Sequence, residues 1–395
     1  MTAVLCQAVF AGPKEKIDAF IGPEDSIMVK ACGAGGNVMI AKNTNVQRIP
    51  ASILKVITVL AAFDILGKDH RFVTEFYRTP KNNLIIKGYG DPCLVSQEIE
   101  RTTTLLAAQA SGFRNILVDN QWFAPNIRVP GRTDHSLQPY DAPNGALCAN
   151  YNTVRFAKKN GAYISAEPQT PLLPFAEKRL RHLPVTAGRV MFIDNATDGA
   201  LYAGELFKYF LEKNDCPVTG NVIHGVVHQP ADTLIYRHTS GESLADVAEK
   251  LLQYSNNFIA NQLFLACGAT VYGPPATMAK GIRAVTAFAR KSLDISNLVI
   301  EEGSGLSRSN QISAQMMARA LDAFAPYCDL MHGNSHEHYK TGTLDGISTR
   351  VGYIQDDNGM CYQYVVMINT PGKRADAIMP AVQQLIGFAG ATAPE

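Results

Sequence analysis

The sequence contains no unbroken run of 18 apolar residues, so no segment has the make-up of a membrane-spanning helix. It has no basic run interleaved with aromatic residues, and a formal net charge of only +1, which leaves no case for nucleic acid as a partner. The eight cysteines, at 6, 32, 93, 148, 216, 267, 328 and 361, form no C-x-x-C pair and no zinc spacing. That excludes a thioredoxin-type motif and a zinc ribbon. It leaves the redox compartment open, and most of these cysteines read as core residues. No period of solenoid length is present. Charged residues are sparse, 18% against 46% hydrophobic, the balance of a folded chain, and 395 residues suffice for two or three domains with their own cores.

The first residues, "MTAVLCQAVFAG", are uncharged and end in Val9-Phe10-Ala11, a pattern acceptable to signal peptidase, without the basic leader of a full export signal. Residues 1–11 read equally well as the tail of an export signal or as an ordinary buried segment.

In a chain poor in charge, one lysine stands out. In "RIPASILKVITVLAAFDILG" (48–67) Lys55 is the one charged position after Ser52 until Asp64, and all the others but Thr58 are apolar, the pattern of a helix buried all round. Desolvation in such a place drives an amine towards its neutral, proton-accepting form. Ser52 lies three residues earlier on the same helical face, and Pro50 predicts that Ser52 sits in the first turn, near unpaired N–H groups. A nucleophile, a base and oxyanion donors would then converge. Taken alone, S-x-x-K fits equally a serine near an N-cap and a lysine that snorkels to the surface.

The surrounding texture predicts a split chain. "SIMVKACGAGGNVMIAKN" (26–43) reads as a hairpin leading into the Ser52 helix. From about residue 81, short runs such as "NNLIIKG", "NILVDN", "GRVMFID" and "GNVIHGVV" are punctuated by Gly, Pro and Asn, as in a β-rich insertion. Helical periodicity returns at "TSGESLADVAEKLLQYS", with Ser240 or Ser243 as cap, and continues near 257–266, 276–292, 313–325 and 374–388. Strand patterns occupy "HEHYKTGTL", "ISTRVGYIQ" and "CYQYVVMIN". The expectation is an α/β (α+β) body, 12–80 plus 240–395, around an antiparallel, hairpin-rich sheet, with 81–239 inserted between its halves.

Two further elements give S-x-x-K its weight. Ser255-Asn256-Asn257 falls between two helical patterns, and Lys340-Thr341-Gly342 falls on a strand. S-x-x-K, S-x-N and K-T-G occur in this order in serine acyl-transfer enzymes that recognise penicillin. The flanks "EEGSGLSRSNQISAQMM", with Glu302 where aspartate is usual, "KTGTLDGISTRVGYI", "GYGDPCL" and "PYDAPNGALCANYNTV" resemble the serine D-alanyl-D-alanine carboxypeptidase/endopeptidase family, the class C low-molecular-mass penicillin-binding proteins. The separation of 203 positions from Ser52 to Ser255 (255 minus 52) resembles that family's long insertion and exceeds the gap in class A β-lactamases.

The resemblance implies a penicillin-recognising, transpeptidase/β-lactamase-like body and a serine DD-peptidase outside the cytoplasm, such as in the periplasm. Its partners would be peptidoglycan stem peptides ending in D-Ala-D-Ala, with β-lactams as inhibitors and no cofactor or metal. Ser52 would attack, Lys55 would take its proton, Ser255 would relay a proton to the leaving amine, and Asn257 would orient Lys55 and the substrate amide. Lys340, Thr341 and Thr343 would hold the terminal carboxylate, and side-chain-free Gly342 would let substrate lie along the strand edge. The backbone N–H groups of Ser52 and Thr343 would form the oxyanion hole. A related β-lactamase or D-amino-acid amidase or esterase shares this chemistry, and a non-catalytic peptidoglycan-binding protein could keep the fold. His332, His336 and His338 precede the K-T-G strand; with no second ligand set to complete a metal site, they read as surface or site-rim residues.

Overall fold

The structure, a computed structural model, describes residues 12–134 and 136–387. The expectation for residues 1–11 lies outside these. The chain divides into two compact units.

Of the described residues, one unit comprises 12–56, Lys291–Val299 and 308–387. Its centre is a six-stranded sheet in the order His332–Gly333, Glu337–Leu344, Ile347–Gln355, Cys361–Ile368, Ser26–Ala31, Val38–Lys42. All its pairings are antiparallel, including the 26–43 hairpin. Ile27, Val29, Ile354, Tyr364, Val366 and Ile368 form a core with Ile17 and Ile21 and with Met379 and Val382 from the terminal helices Pro13–Phe20 and Met379–Leu385. Against the sheet also lies helix Ala314–Phe324, where Gln363 donates to Ala318 C=O and Tyr353 to Leu321 C=O. Cys32 and Cys361 form a disulfide between the neighbouring strand ends. The spacing of the cysteines could not show this, because pairing across 329 positions is decided by strand order alone.

The other unit comprises Ile57–Arg290 and Ile300–Ser307. It holds a five-stranded sheet in the order Val222–His224, Ile116–Asp119, Leu84–Gly88, Val73–Arg78, Thr233–Thr239. Unlike the first sheet, for which antiparallel pairing was expected, this one is mixed: its first three strands run parallel. Parallel neighbours need a crossover, and two helices absent from the sequence reading supply it. Ser96–Ala107 joins Leu84–Gly88 to Ile116–Asp119, and Ala196–Lys213 precedes Val222–His224. The first was hidden by three consecutive β-branched threonines, 102–104, and the second by Gly199 and Gly204. Gly204 is there for close packing, because a Cβ would stand 2.5 Å from Val222 Cγ1 and 2.8 Å from Val118 Cγ1. The region from 81 to 239 is therefore mixed rather than purely β-rich. A three-stranded antiparallel sheet, Ala162–Ser165, Thr153–Lys159 and Ala187–Met191, adds to it.

Helices Leu244–Tyr254, Asn257–Tyr272 and Met278–Ser292 lie where periodicity predicted them. Ser243 is the N-cap of the first and forms a capping box with Asp246. Among the described residues no helix is long and apolar enough to cross a membrane.

Candidate active site

Ser52 does not open an α-helix directly. Residues Ala51–Leu54 form a 3-10 turn with Pro50 as its N-cap, and the α-helix Lys55–Leu66 starts one turn later. Ala51 has φ 50°, the left-handed region that a Cβ disfavours. Strained backbone of this kind persists only where the surroundings hold it. Ser52 is half-buried, and Lys55 is completely buried. Its Nζ and Ser52 Oγ stand 2.9 Å apart in a hydrogen bond. The three-residue spacing thus delivers the contact that it predicted, through a 3-10 turn.

In the same unit, strand Glu337–Leu344 alternates cleanly. Lys340 and Gly342 are buried and Thr341 and Thr343 exposed. Burial pushes the Lys340 amine down to about 8, and its Nζ donates to Thr341 C=O at 2.7 Å. Gly342 packs against the nucleophile turn, where a Cβ would stand 2.7 Å from Ser52 N and 3.0 Å from Ala51 Cβ. On its inner side the strand pairs along its whole length with Ile347–Gln355. On its outer side His332–Gly333 pairs only with Tyr339 and His338. Among the described residues no strand pairs the outer edge from Lys340 onward, which leaves it open to strand addition.

The S-x-N element belongs to the other unit. Ser255, the C-cap of helix Leu244–Tyr254, sits at φ 52° and ψ 39°, a left-handed position usually given to glycine. Asn256 then caps helix Asn257–Tyr272, its Oδ1 accepting from Ile259 N at 3.1 Å. Asn257 Nδ2 donates to Tyr140 C=O at 3.3 Å. Two buried polar groups that sequence reading missed hold this helix from behind. Asn144 donates to Phe258 C=O (2.9 Å), and Gln262 links Gly90 C=O, Gly145 C=O and Gly145 N–H. Asn144 and the partners Gly90 and Gly145 fall in the quoted "PYDAPNGALCANYNTV" and "GYGDPCL" blocks, whereas Gln262 falls in none of them.

Glu302, completely buried, organises the "GSGLS" loop: it accepts from the N–H groups of Ser304 (2.6 Å), Gly305 (2.7 Å) and Ser307 (3.3 Å) and from Asn261 Nδ2 (3.1 Å). Ser304 and Ser307 are both buried. Before the K-T-G strand, His332 packs edge-on against Tyr339, and His338 Nε2 lies 3.5 Å from Asp329.

The D-Ala-D-Ala carboxypeptidase 3 (S13) family model matches residues 16–172 and 165–331. The chain belongs to this family. S13 members are peptidases, so the chain is a hydrolase, and an acyl-enzyme on a serine fits the family. A D-alanyl-D-alanine carboxypeptidase from Actinomadura sp. (strain R39) is 26% identical over 469 residues, covering 97% of this chain and 86% of that one. The D-alanyl-D-alanine carboxypeptidase DacB from Haemophilus influenzae is 27% identical, covering 81% and 77%. The crystal structure of penicillin binding protein 4 from Haemophilus influenzae superposes with a TM-score of 0.74 at 20% identity, covering 96% of this chain and 100% of that chain. A predatory peptidoglycan endopeptidase from Bdellovibrio bacteriovorus shares the fold more distantly, with a TM-score of 0.54 at 17% identity, covering 91% and 92%. The S13 chain thus has the α+β, antiparallel-sheet fold of the penicillin-recognising enzymes.

Proposed function

We propose that this S13 member is a serine DD-carboxypeptidase, with endopeptidase action as a further capacity, cleaving peptidoglycan stem peptides that end in D-Ala-D-Ala. The observation that carries the reading is the 2.9 Å contact between Ser52 Oγ and the amine of a completely buried Lys55. An amine so placed is within reach of the Ser52 proton, and a serine beside it is suited to be the nucleophile.

Ser52 Oγ attacks the carbonyl carbon of the penultimate D-alanine while its proton passes to Lys55 Nζ. The oxyanion takes hydrogen bonds from Ser52 N–H and Thr343 N–H, donors of a kind worth about 3 to 4 kcal/mol each. The C–N bond then breaks as Ser255 relays a proton to the departing D-alanine amine, with Asn257 orienting Lys55 and the substrate amide. Water attacks the resulting ester, giving the shortened peptide and free Ser52. Lys340, Thr341 and Thr343 hold the terminal carboxylate, and the open strand edge holds the substrate backbone. β-Lactams acylate the same serine.

The Cys32–Cys361 disulfide supports an extracytoplasmic, periplasm-like location, because such bonds persist in oxidising compartments. The reading also retains the split organisation, 12–80 and 240–395 around an inserted 81–239. Labelled penicillin followed by peptide mapping tests the mechanism. The adduct is expected on Ser52 and absent from Ser52→Ala; no label on Ser52, or an undiminished label in the variant, would overturn it.

A further inference from the structure

We propose that Thr349 is a positioning residue for the nucleophile turn, holding Ser52 in register with the K-T-G strand; this rests on Ser52 being the nucleophile. Thr349 is 1% exposed and pairs directly opposite Gly342 on the adjoining strand. Its hydroxyl donates to Pro50 C=O at 2.8 Å, with Gly342 C=O a more distant acceptor at 3.4 Å. One residue upstream, Ile49 is held from both sides of its backbone: its N–H donates to Asn369 Oδ1 at 2.9 Å and its C=O accepts from Asn369 Nδ2 at 3.2 Å. Immediately downstream, Ala51 is in the left-handed region.

The entry to the turn is thus clamped by side chains at residues 49 and 50, and the strain follows at residue 51. An L-residue is disfavoured in that region, so the conformation needs something to hold it. The Thr349 hydroxyl bonds to the carbonyl of the residue directly before the strained one. It sits in the corner where the Pro50 carbonyl meets the K-T-G strand, and the Gly342 Cβ position would collide with it as well as with the Ser52 amide. Glycine at 342 therefore makes room for the positioning hydroxyl as much as for substrate. Without that hydroxyl the Pro50 carbonyl keeps only its place as N-cap of the 3-10 turn and loses a buried side-chain partner, so the peptide before Ala51 can shift and carry the Ser52 Oγ and N–H off the geometry needed for attack.

Thr349→Val removes the hydroxyl at nearly constant volume, and Thr349→Ser keeps it. Acylation by labelled penicillin is expected to slow about 10- to 100-fold in Thr349→Val and to stay within about threefold of wild type in Thr349→Ser. The KM for a D-Ala-D-Ala peptide should barely move while kcat falls. Amide exchange in the 49–54 segment should rise in Thr349→Val, with the Cys361–Ile368 strand unchanged. Thr349→Ala gives the same readouts where valine does not fold. Wild-type acylation in Thr349→Val with unchanged exchange would overturn the proposal, as would equal slowing in Thr349→Ser. A label that never reaches Ser52 in the wild type would instead defeat the mechanism, and the exchange measurement would still decide whether Thr349 holds the turn.

Discussion

Gly342 approaches Ser52 so closely that a single added methyl group would stand 2.7 Å from the Ser52 amide nitrogen. The nucleophile turn and the K-T-G strand are in van der Waals contact at the one position whose side chain is missing. Gly342→Ala should therefore lose acylation by about 100-fold or more and lower the melting temperature, because neither backbone can yield. Measuring penicillin labelling and thermal unfolding on one preparation checks both effects.

Lys340 gives a pH signature. Its amine, depressed to about 8 by burial, is charged at neutral pH and loses its proton as pH rises through that value. Binding of a peptide with a free terminal carboxylate should weaken over this range, while a peptide capped as the carboxamide should show no such change. KM against pH from 6 to about 9 for the two peptides is the test.

Asp91 offers a stability signature. Burial, opposed by the Cys93 N–H and reinforced by the charges of Glu242 and Glu98, raises its carboxyl from an ordinary 3.8 to about 7. A raised folded value means that the folded state binds the extra proton. The contribution is complete below pH 3.8 and is lost as pH rises through about 7. Asp91→Asn should flatten the decline in urea midpoint that the wild type shows between pH 5 and about 8.

Glu302 should tolerate little. In Glu302→Gln one oxygen becomes a donor facing the N–H groups that the carboxylate now satisfies, at a cost of about 3 kcal/mol or more. Glu302→Asp keeps both acceptors on a shorter arm and should lose less. Urea midpoints of the two variants decide it.

Replacing Cys32 and Cys361 by serine removes a cross-link between strand ends 329 positions apart in sequence. The expected loss is about 2 to 4 kcal/mol, read from denaturant unfolding with and without reductant.

Elements whose pattern matched their packing were legible. The 26–43 hairpin alternates as an antiparallel pair should, and the helix after Ser243 carries its own cap. Helices 96–107 and 196–213 were not legible, because threonines and glycines that weaken an isolated helix are tolerated once it packs on a sheet. The parallel strands they connect were lost with them.

For the site, the residue types and their order in the chain were determined by sequence alone: Ser52 with Lys55 three residues on, Ser255 and Asn257 at a helix junction, and Lys340, Thr341 and Gly342 on a strand. Short-range spacing fixes which side chains share a turn or a strand face, and that information is local. Only the tertiary structure decided the rest: that Ser52 sits in a 3-10 turn after a strained alanine, that Lys55 is fully buried, and that the Thr349 hydroxyl fills the corner behind Gly342. Burial and close approach depend on which distant segments pack together, and no local pattern in the chain encodes that choice.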